Sequence, residues 1–216
     1  MNKIIIIFLC FLSMLSFINL NGNKNDCFTI YLDPGHGGRD AGAVSGEVYE
    51  KNINLAICLY LKEYLENSGF IVYLTRDSDI DLSNSKTNYK KEDIRERVKM
   101  INNSNADLYL SIHTNAISSN IWRGAQVFYN KVNENNFIIA KCIQDSIKNF
   151  IGNTDRVEKE MTDKFIVSNV LIPGALVEVG FISNNEEKKL LNDSKYQDKM
   201  AYAIYLGILE YIKYRK

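Results

Sequence analysis

The sequence predicts one α/β domain, a mostly parallel central sheet of about six strands with helices on both faces. Three observations predict it. The chain has 216 residues, 46% hydrophobic and 24% charged, which suffices for one sizeable core and leaves little for a second. Its 12 glycines and 2 prolines gather at a few sharp places, so they act as positional punctuation and not as linkers. Between those places, strand-like and helix-like stretches alternate, and successive strands joined through helices make a parallel sheet covered on both sides.

Residues 28–33 (FTIYLD) read as the first strand, which Pro34 and the glycines after it must end. From Lys51, the residues Ile53, Ala56, Ile57, Tyr60, Leu61, Tyr64 and Leu65 recur at helical spacing until Gly69 stops them. A strand follows at 71–75, then a polar loop, a helix at 92–103 and a strand at 106–113 that ends on His113. Residues 125–129 read as another strand. The helix at 137–150 sets Ile139, Cys142, Ile143 and Ile147 on one face. After a polar stretch at 152–163, short strands are expected at 164–167 and 174–179. Two helices close the chain. The first starts near Ser183 or Asn184, both good N-caps, with Glu186 and Glu187 in its first turn; the second covers 196–214.

Residues 1–25 stand apart from this domain, which is assigned to 26–216. Residues 4–20 (IIIIFLCFLSMLSFINL) are a nearly continuous apolar run behind Lys3. Seventeen helical residues reach about 25 Å, which suits a short membrane anchor or a signal peptide. Either exports the rest, and Lys3 on the inner side places the domain on the extracytoplasmic face. Lys plus Arg equals Asp plus Glu at 26 each, so charge gives no reason to expect a nucleic-acid partner. Cys27, Cys58 and Cys142 match no disulfide or metal framework, and the last two fall in apolar helical stretches as buried thiols.

The chemistry gathers at strand ends, where ligands bind in sheets of this kind. The only two histidines, His36 and His113, both sit there. A metal enzyme limited to two imidazoles completes its shell with a carboxylate, and Glu50, at the start of the first long helix, can fold back to His36 across a glycine-rich loop. Two His and one Glu make the donor set of zinc hydrolases such as thermolysin, with a position left for water. Glu178 lies within the apolar strand GALVEVG, where burial would raise its pKa and suit it to proton transfer as the catalytic acid/base. Asp33, Arg39 and Asp40 either orient ligands or form loop ion pairs; Arg76 and Arg97 read as structural ion-pair formers.

These residues stand in LDPGHGGRDAGA (32–43), YEKNINL (49–55), LTRD (74–77), ERVKMINNSNADLYLSIHTNA (96–116) and LVEVGFISN (176–184). In that order they resemble the zinc-dependent N-acetylmuramoyl-L-alanine amidases of the Amidase_3 family. The resemblance implies one zinc ion on His36, Glu50 and His113, Glu178 as catalytic acid/base, and peptidoglycan as substrate, cut between the lactyl group of muramic acid and L-alanine. WRGAQVFYN (122–130), Thr154 to Arg156, and IPGALVEVGFISNNEE (172–187) resemble more narrowly the germination-specific, spore-cortex members, the CwlD type. Those members imply a role in making muramic-δ-lactam, on the outer face of a membrane, in the cell wall or the forespore intermembrane space. Ser168 stands where many relatives carry a basic residue, and Asn185 where many carry Pro. An accessory protein for zinc loading or placement is an expected partner, with Trp122 as a candidate contact or a packed lid residue. Two other readings stay open on the residues alone: a zinc peptidase cutting within the stem peptide, and a catalytically silent, membrane-anchored wall-binding module.

Overall fold

The computed structural model describes residues 27–215; the expected anchor at 1–25 lies outside them. In chain order the elements are β1 (Thr29–Pro34), β2 (Val44–Ser45), β3 (Val48–Tyr49), α1 (Glu50–Asn67), β4 (Ile71–Leu74), α2 (Tyr89–Asn102) and β5 (Leu108–Asn115). Then come β6 (Gln126–Tyr129), α3 (Asn135–Phe150), β7 (Lys159–Glu160), α4 (Phe165–Asn169), β8 (Gly174–Phe181), α5 (Asn185–Leu191) and α6 (Ser194–Tyr214).

Six strands form one sheet in the order β4-β1-β5-β8-β6-β7, while β2 and β3 pair as a separate hairpin. β4, β1, β5 and β8 run parallel, and β6 is antiparallel to β8. All eight residues of β8 are buried, as expected of a strand covered on both faces. Side-chain alternation sorts the core. Ile30, Leu32, Leu108, Leu110, Ile112, Ala175 and Val177 share one cluster with residues of α1, α3 and α6. Tyr31, Tyr109 and Leu176 point the other way, into a smaller cluster with α2 and α4. Each fully buried Leu or Ile contributes about 1.5–3 kcal/mol. Helices α3 and α6 approach closely because Gly207 has no side chain: a Cβ there would lie 2.6 Å from the Ile143 Cα.

One element differs in type from the sequence expectation. Residues 164–167 are not a strand but the entry to α4, closed by Ser168 N–H to the Lys164 carbonyl and Val170 N–H to the Ile166 carbonyl. Ile166 and Val167 both pack into the smaller cluster with Val98 and Ile101 of α2, and these tertiary contacts favour the helical turn. The β2–β3 hairpin and β7, each strand only two residues long, carry no periodicity to read. Between the two proposed caps, Asn184 is the N-cap of α5: its Oδ1 accepts from the backbone N–H of Glu186 and Glu187, both at 3.0 Å. Ser183 instead accepts from the Ile117 N–H at 3.3 Å. Cys58 and Cys142 are buried as expected, and Cys27 is exposed.

Candidate metal centre

The carboxyl ends of β1, β5 and β8 converge on a cavity of about 380 Å³ whose lining includes His36, Glu50, His113 and Glu178. The turn after β1 makes this possible. Gly35 N–H bonds to the Ile112 carbonyl at 2.9 Å, holding the chain beside β5. His36 then takes a left-handed conformation with φ 62°, rare for a non-glycine residue, and Gly37 and Gly38 continue at positive φ. Gly37 and Asp40 exchange both backbone hydrogen bonds, closing the turn. The missing side chain of Gly35 is equally necessary, because a Cβ there would lie 2.3 Å from His113 Cε1.

Glu50, the first residue of α1, is 5% exposed and links the two imidazoles. Its Oε1 lies 3.2 Å from His36 Nε2 and 3.1 Å from His113 Nδ1, and it accepts from the Thr114 N–H at 3.1 Å and from Asn54 Nδ2 at 3.3 Å. Its Oε2 accepts from the Ala43 N–H at 2.8 Å. One donor atom from each of His36, Glu50 and His113 lies within 4.8 Å of the others. Burial alone would oppose charge on Glu50, but hydrogen bonds from both imidazoles hold its carboxyl well below the usual carboxylate range. Burial likewise works against a charged His36, yet Asp40 and Glu50 raise it to about 9. The His36 Nδ1–H donates to Asp40 Oδ2 at 2.7 Å, which turns Nε2 towards Glu50. Asp40 is in turn paired with Lys90 at 2.7 Å.

Glu178 is the in-register neighbour of His113 across β5 and β8. It is 7% exposed, and its Oε2 finds no hydrogen-bond partner among the described residues. Burial raises its pKa to about 7, with the Glu50 charge adding to the rise and His113 opposing it. A buried, unpartnered carboxylate oxygen facing a cavity is a costly arrangement that a purely structural site would avoid.

Beneath the histidines lies a buried polar layer. Asp33 accepts from Ser111 Oγ at 2.6 Å, Thr75 Oγ1 at 2.7 Å and Arg97 Nη1 at 2.9 Å. Arg97, fully buried, also pairs with Asp93 at 2.6 Å and donates to the carbonyls of Pro34 and His36, both at 2.7 Å. Arg76 departs from the expectation of an ion pair: it donates to the carbonyls of Pro34, Gly35 and Lys51 at 2.9, 3.0 and 2.8 Å. The two guanidiniums together clamp three consecutive carbonyls of the His36 turn. Of the flanking residues with two readings, Asp33 and Asp40 support the histidine-bearing segments, whereas Arg39 makes a loop ion pair with Asp81 at 2.5 Å.

Sequence reasoning missed Asn54 and Thr114, which position Glu50, and Lys164 and Phe165, which line the cavity at the start of α4. An asparagine one helical turn after Glu50 was the available signal for the first. The missing basic residue at Ser168 was the signal for Lys164: Ser168 is exposed and bonds to the Thr162 carbonyl, while Lys164, four residues earlier, carries a cation on the cavity wall. Trp122 is 49% exposed with the Arg156 guanidinium 5.6 Å from its ring, so it is not a packed lid residue.

A mostly parallel α/β sheet that carries two histidines and the first-turn glutamate of a helix at its carboxyl edge defines a class, and residues 30–210 match the family described as N-acetylmuramoyl-L-alanine amidase. The chain belongs to this family, Amidase_3. Within it, the chain is similar to the germination-specific N-acetylmuramoyl-L-alanine amidase of Bacillus subtilis (strain 168), 49% identical over 186 residues that cover 84% of this chain and 78% of that one. It is similar in structure to the CwlD amidase from Clostridioides difficile, solved in complex with the GerS lipoprotein, with a TM-score of 0.83 and 41% identity over 87% of this chain and 99% of that chain. The catalytic domain of the amidase CwlV from Bacillus (Paenibacillus) polymyxa var. colistinus follows at a TM-score of 0.76 and 30% identity, covering 86% and 98%.

Proposed function

We propose that this chain uses one zinc ion to hydrolyse the amide between the lactyl group of N-acetylmuramic acid and the L-alanine of peptidoglycan stem peptides, in spore-cortex maturation on the way to muramic-δ-lactam. The observation that carries the reading is the unpartnered Oε2 of buried Glu178 in the same cavity as the His36, Glu50 and His113 donor set. Two imidazoles, once His36 gives up its Nε2 proton in favour of the metal, and a carboxylate suit zinc and leave room for water. Zinc bound there supplies a Lewis acid that polarises the scissile carbonyl and acidifies water.

His36, Glu50 and His113 are the ligands in this reading, with Asp40 keeping His36 in the tautomer that presents Nε2. Glu178, poised near pH 7 by burial, takes a proton from the attacking water and delivers it to the departing alanine nitrogen. Similarity to a germination-specific amidase supports the cortex role. The C. difficile relative was solved with a lipoprotein, which supports an accessory protein for this chain too. Residues 1–25 serve as the membrane anchor and hold the domain on the extracytoplasmic face; among the described residues no helix is long and apolar enough to cross a membrane.

Incubating the full chain and zinc with purified peptidoglycan, followed by mass spectrometry, tests the bond. Whole stem peptides with a free L-alanine amino group are expected. Shorter peptides, with the muramoyl-L-alanine link intact, would show a peptidase instead, and no release with zinc bound would favour the wall-binding module. Cortex from spores of a deletion strain is expected to lack muramic-δ-lactam.

A further inference from the structure

The candidate site occupies the carboxyl edge of the sheet; the opposite, amino edge has its own character. Residue 27, the first described, precedes β1 at that edge, where the Arg215 guanidinium sits 5.0 Å from the Phe28 ring and 2.9 Å from Asp107. Ile71 pairs with Thr29 at the start of β4 and β1. Leu171 precedes β8 and is tied by its N–H to Asn102 at the end of α2. Because β6 runs antiparallel to β8, its end delivers Val132 and the start of α3 to the same edge, where Asn136 accepts from the Gly174 N–H at 2.8 Å. Tyr214, at the end of α6, lies beside Arg215.

Ile71, Val132, Phe137, Leu171 and Tyr214 are therefore gathered at one edge, and each is between 41% and 69% exposed. Phe137 and Tyr214 also form the lower end of an apolar groove between α3 and α6. Cations adjoining these residues are matched by acids: Lys131 by Glu160, Lys213 by Glu210 and Arg215 by Asp107. Five large apolar side chains, two of them aromatic, thus stand exposed at this edge among polar neighbours such as Asn103, Lys131 and Glu134, and that mixture of aromatic and polar groups suits the interfacial layer of a bilayer.

The chain's own layout says what covers it. The apolar run at 4–20 is followed by six residues, 21–26 (NGNKND), five of them polar, before the domain begins at this edge. Six extended residues span at most about 20 Å, so an inserted run keeps the amino edge close to the lipid. The geometry points to the amino edge of the sheet as a membrane-resting surface, centred on Phe137, Leu171 and Tyr214, that aims the catalytic cavity away from the bilayer towards the wall. This orientation rests on the reading of residues 1–25 as an anchor. β1 alone separates the two edges by about 20 Å, so the cavity stays clear of the lipid.

Trp122, the only tryptophan, lies in the loop before β6 at the cavity end and serves as an internal control. The test uses the full chain in vesicles of phosphatidylcholine brominated in its acyl chains, and compares wild type with Trp122→Phe carrying either Phe137→Trp or Tyr214→Trp. Phe137 is 44% and Tyr214 65% exposed, and either variant can be read if the other folds poorly. The expected result is that all three proteins float with the vesicles, that tryptophan at 137 or 214 loses emission to the bromolipid, and that Trp122 does not. Flotation with no quenching at either position overturns the orientation, keeps the anchor, and leaves the edge to a protein partner. Quenching of Trp122 also overturns it. Failure of any protein to float overturns the anchor and the orientation together.

Discussion

His113 on β5 and Glu178 on β8 are in-register partners on adjacent parallel strands, so two side chains 65 positions apart in the chain emerge side by side at the same edge of the sheet. The sheet itself sets their spacing, since neighbouring strands lie about 4.8 Å apart. Only the loop carrying His36 and the first turn of α1 carrying Glu50 must be positioned by other means, and the buried arginines and the glycines of the turn do that.

Gly35→Ala tests the turn without replacing any of the three donor residues. The new Cβ would overlap the His113 ring, whose Cε1 and Nε2 would lie 2.3 and 2.4 Å away. The ring must then move from Glu50. Metal affinity, measured by chelator competition, is expected to fall by about 10- to 100-fold, the range seen when a ligand loses its support. Wild-type affinity in a folded variant would show that the ring position does not matter.

Arg97→Met tests the buried layer. It removes the partner of Asp33 and Asp93 while keeping similar volume, and leaves the buried Asp33 with its hydroxyl donors Ser111 and Thr75 but without its ion-pair partner. Desolvation opposes the charge on Asp33, and Arg97 is the largest influence keeping its pKa lowered. Loss of one partner of a buried pair costs about 3–5 kcal/mol, which urea unfolding can measure. A shift within experimental error would mean that water replaces the guanidinium.

Glu178 gives a pH prediction for the metal-free protein. Its pKa is raised from 4.5 to about 7, so between those values the folded state binds more protons than the unfolded one, and stability falls as pH rises through that window. The penalty is absent below the unfolded pKa and complete above the folded one, where it amounts to about 3 kcal/mol at 1.36 kcal/mol per pH unit. Metal-free Glu178→Gln is therefore expected to be more stable than metal-free wild type at pH 8 and to lose that advantage by pH 4. Thermal unfolding across pH reads this directly, and an advantage that grows towards acid would contradict it.

Much of the fold was readable because long elements repeat their pattern. α1, α3 and α6 each place buried residues at helical spacing, and β1, β5 and β8 alternate sides cleanly. What failed was short: four residues at 164–167 are compatible with a strand or a helical turn, and only their tertiary contacts decide. The convergence of His36, Glu50 and His113 was readable because a chain with two imidazoles at equivalent strand ends has few carboxylates that can reach both. The partners of Arg97 were not, since Asp33 lies 64 positions away on another element and no local pattern joins them. Arg76 misled for a related reason: its acceptors are backbone carbonyls, which every residue has.

The most direct measurement is zinc content alongside turnover for Glu178→Gln on muramoyl-L-alanine substrate, with His113→Ala as its counterpart. The Gln side chain keeps the shape of Glu178 and cannot exchange the proton. One zinc per chain with hydrolysis lowered by about 10²- to 10⁴-fold is expected for Glu178→Gln, and loss of the metal itself for His113→Ala. Normal turnover by folded, zinc-loaded Glu178→Gln would contradict the assignment of Glu178 as the acid/base.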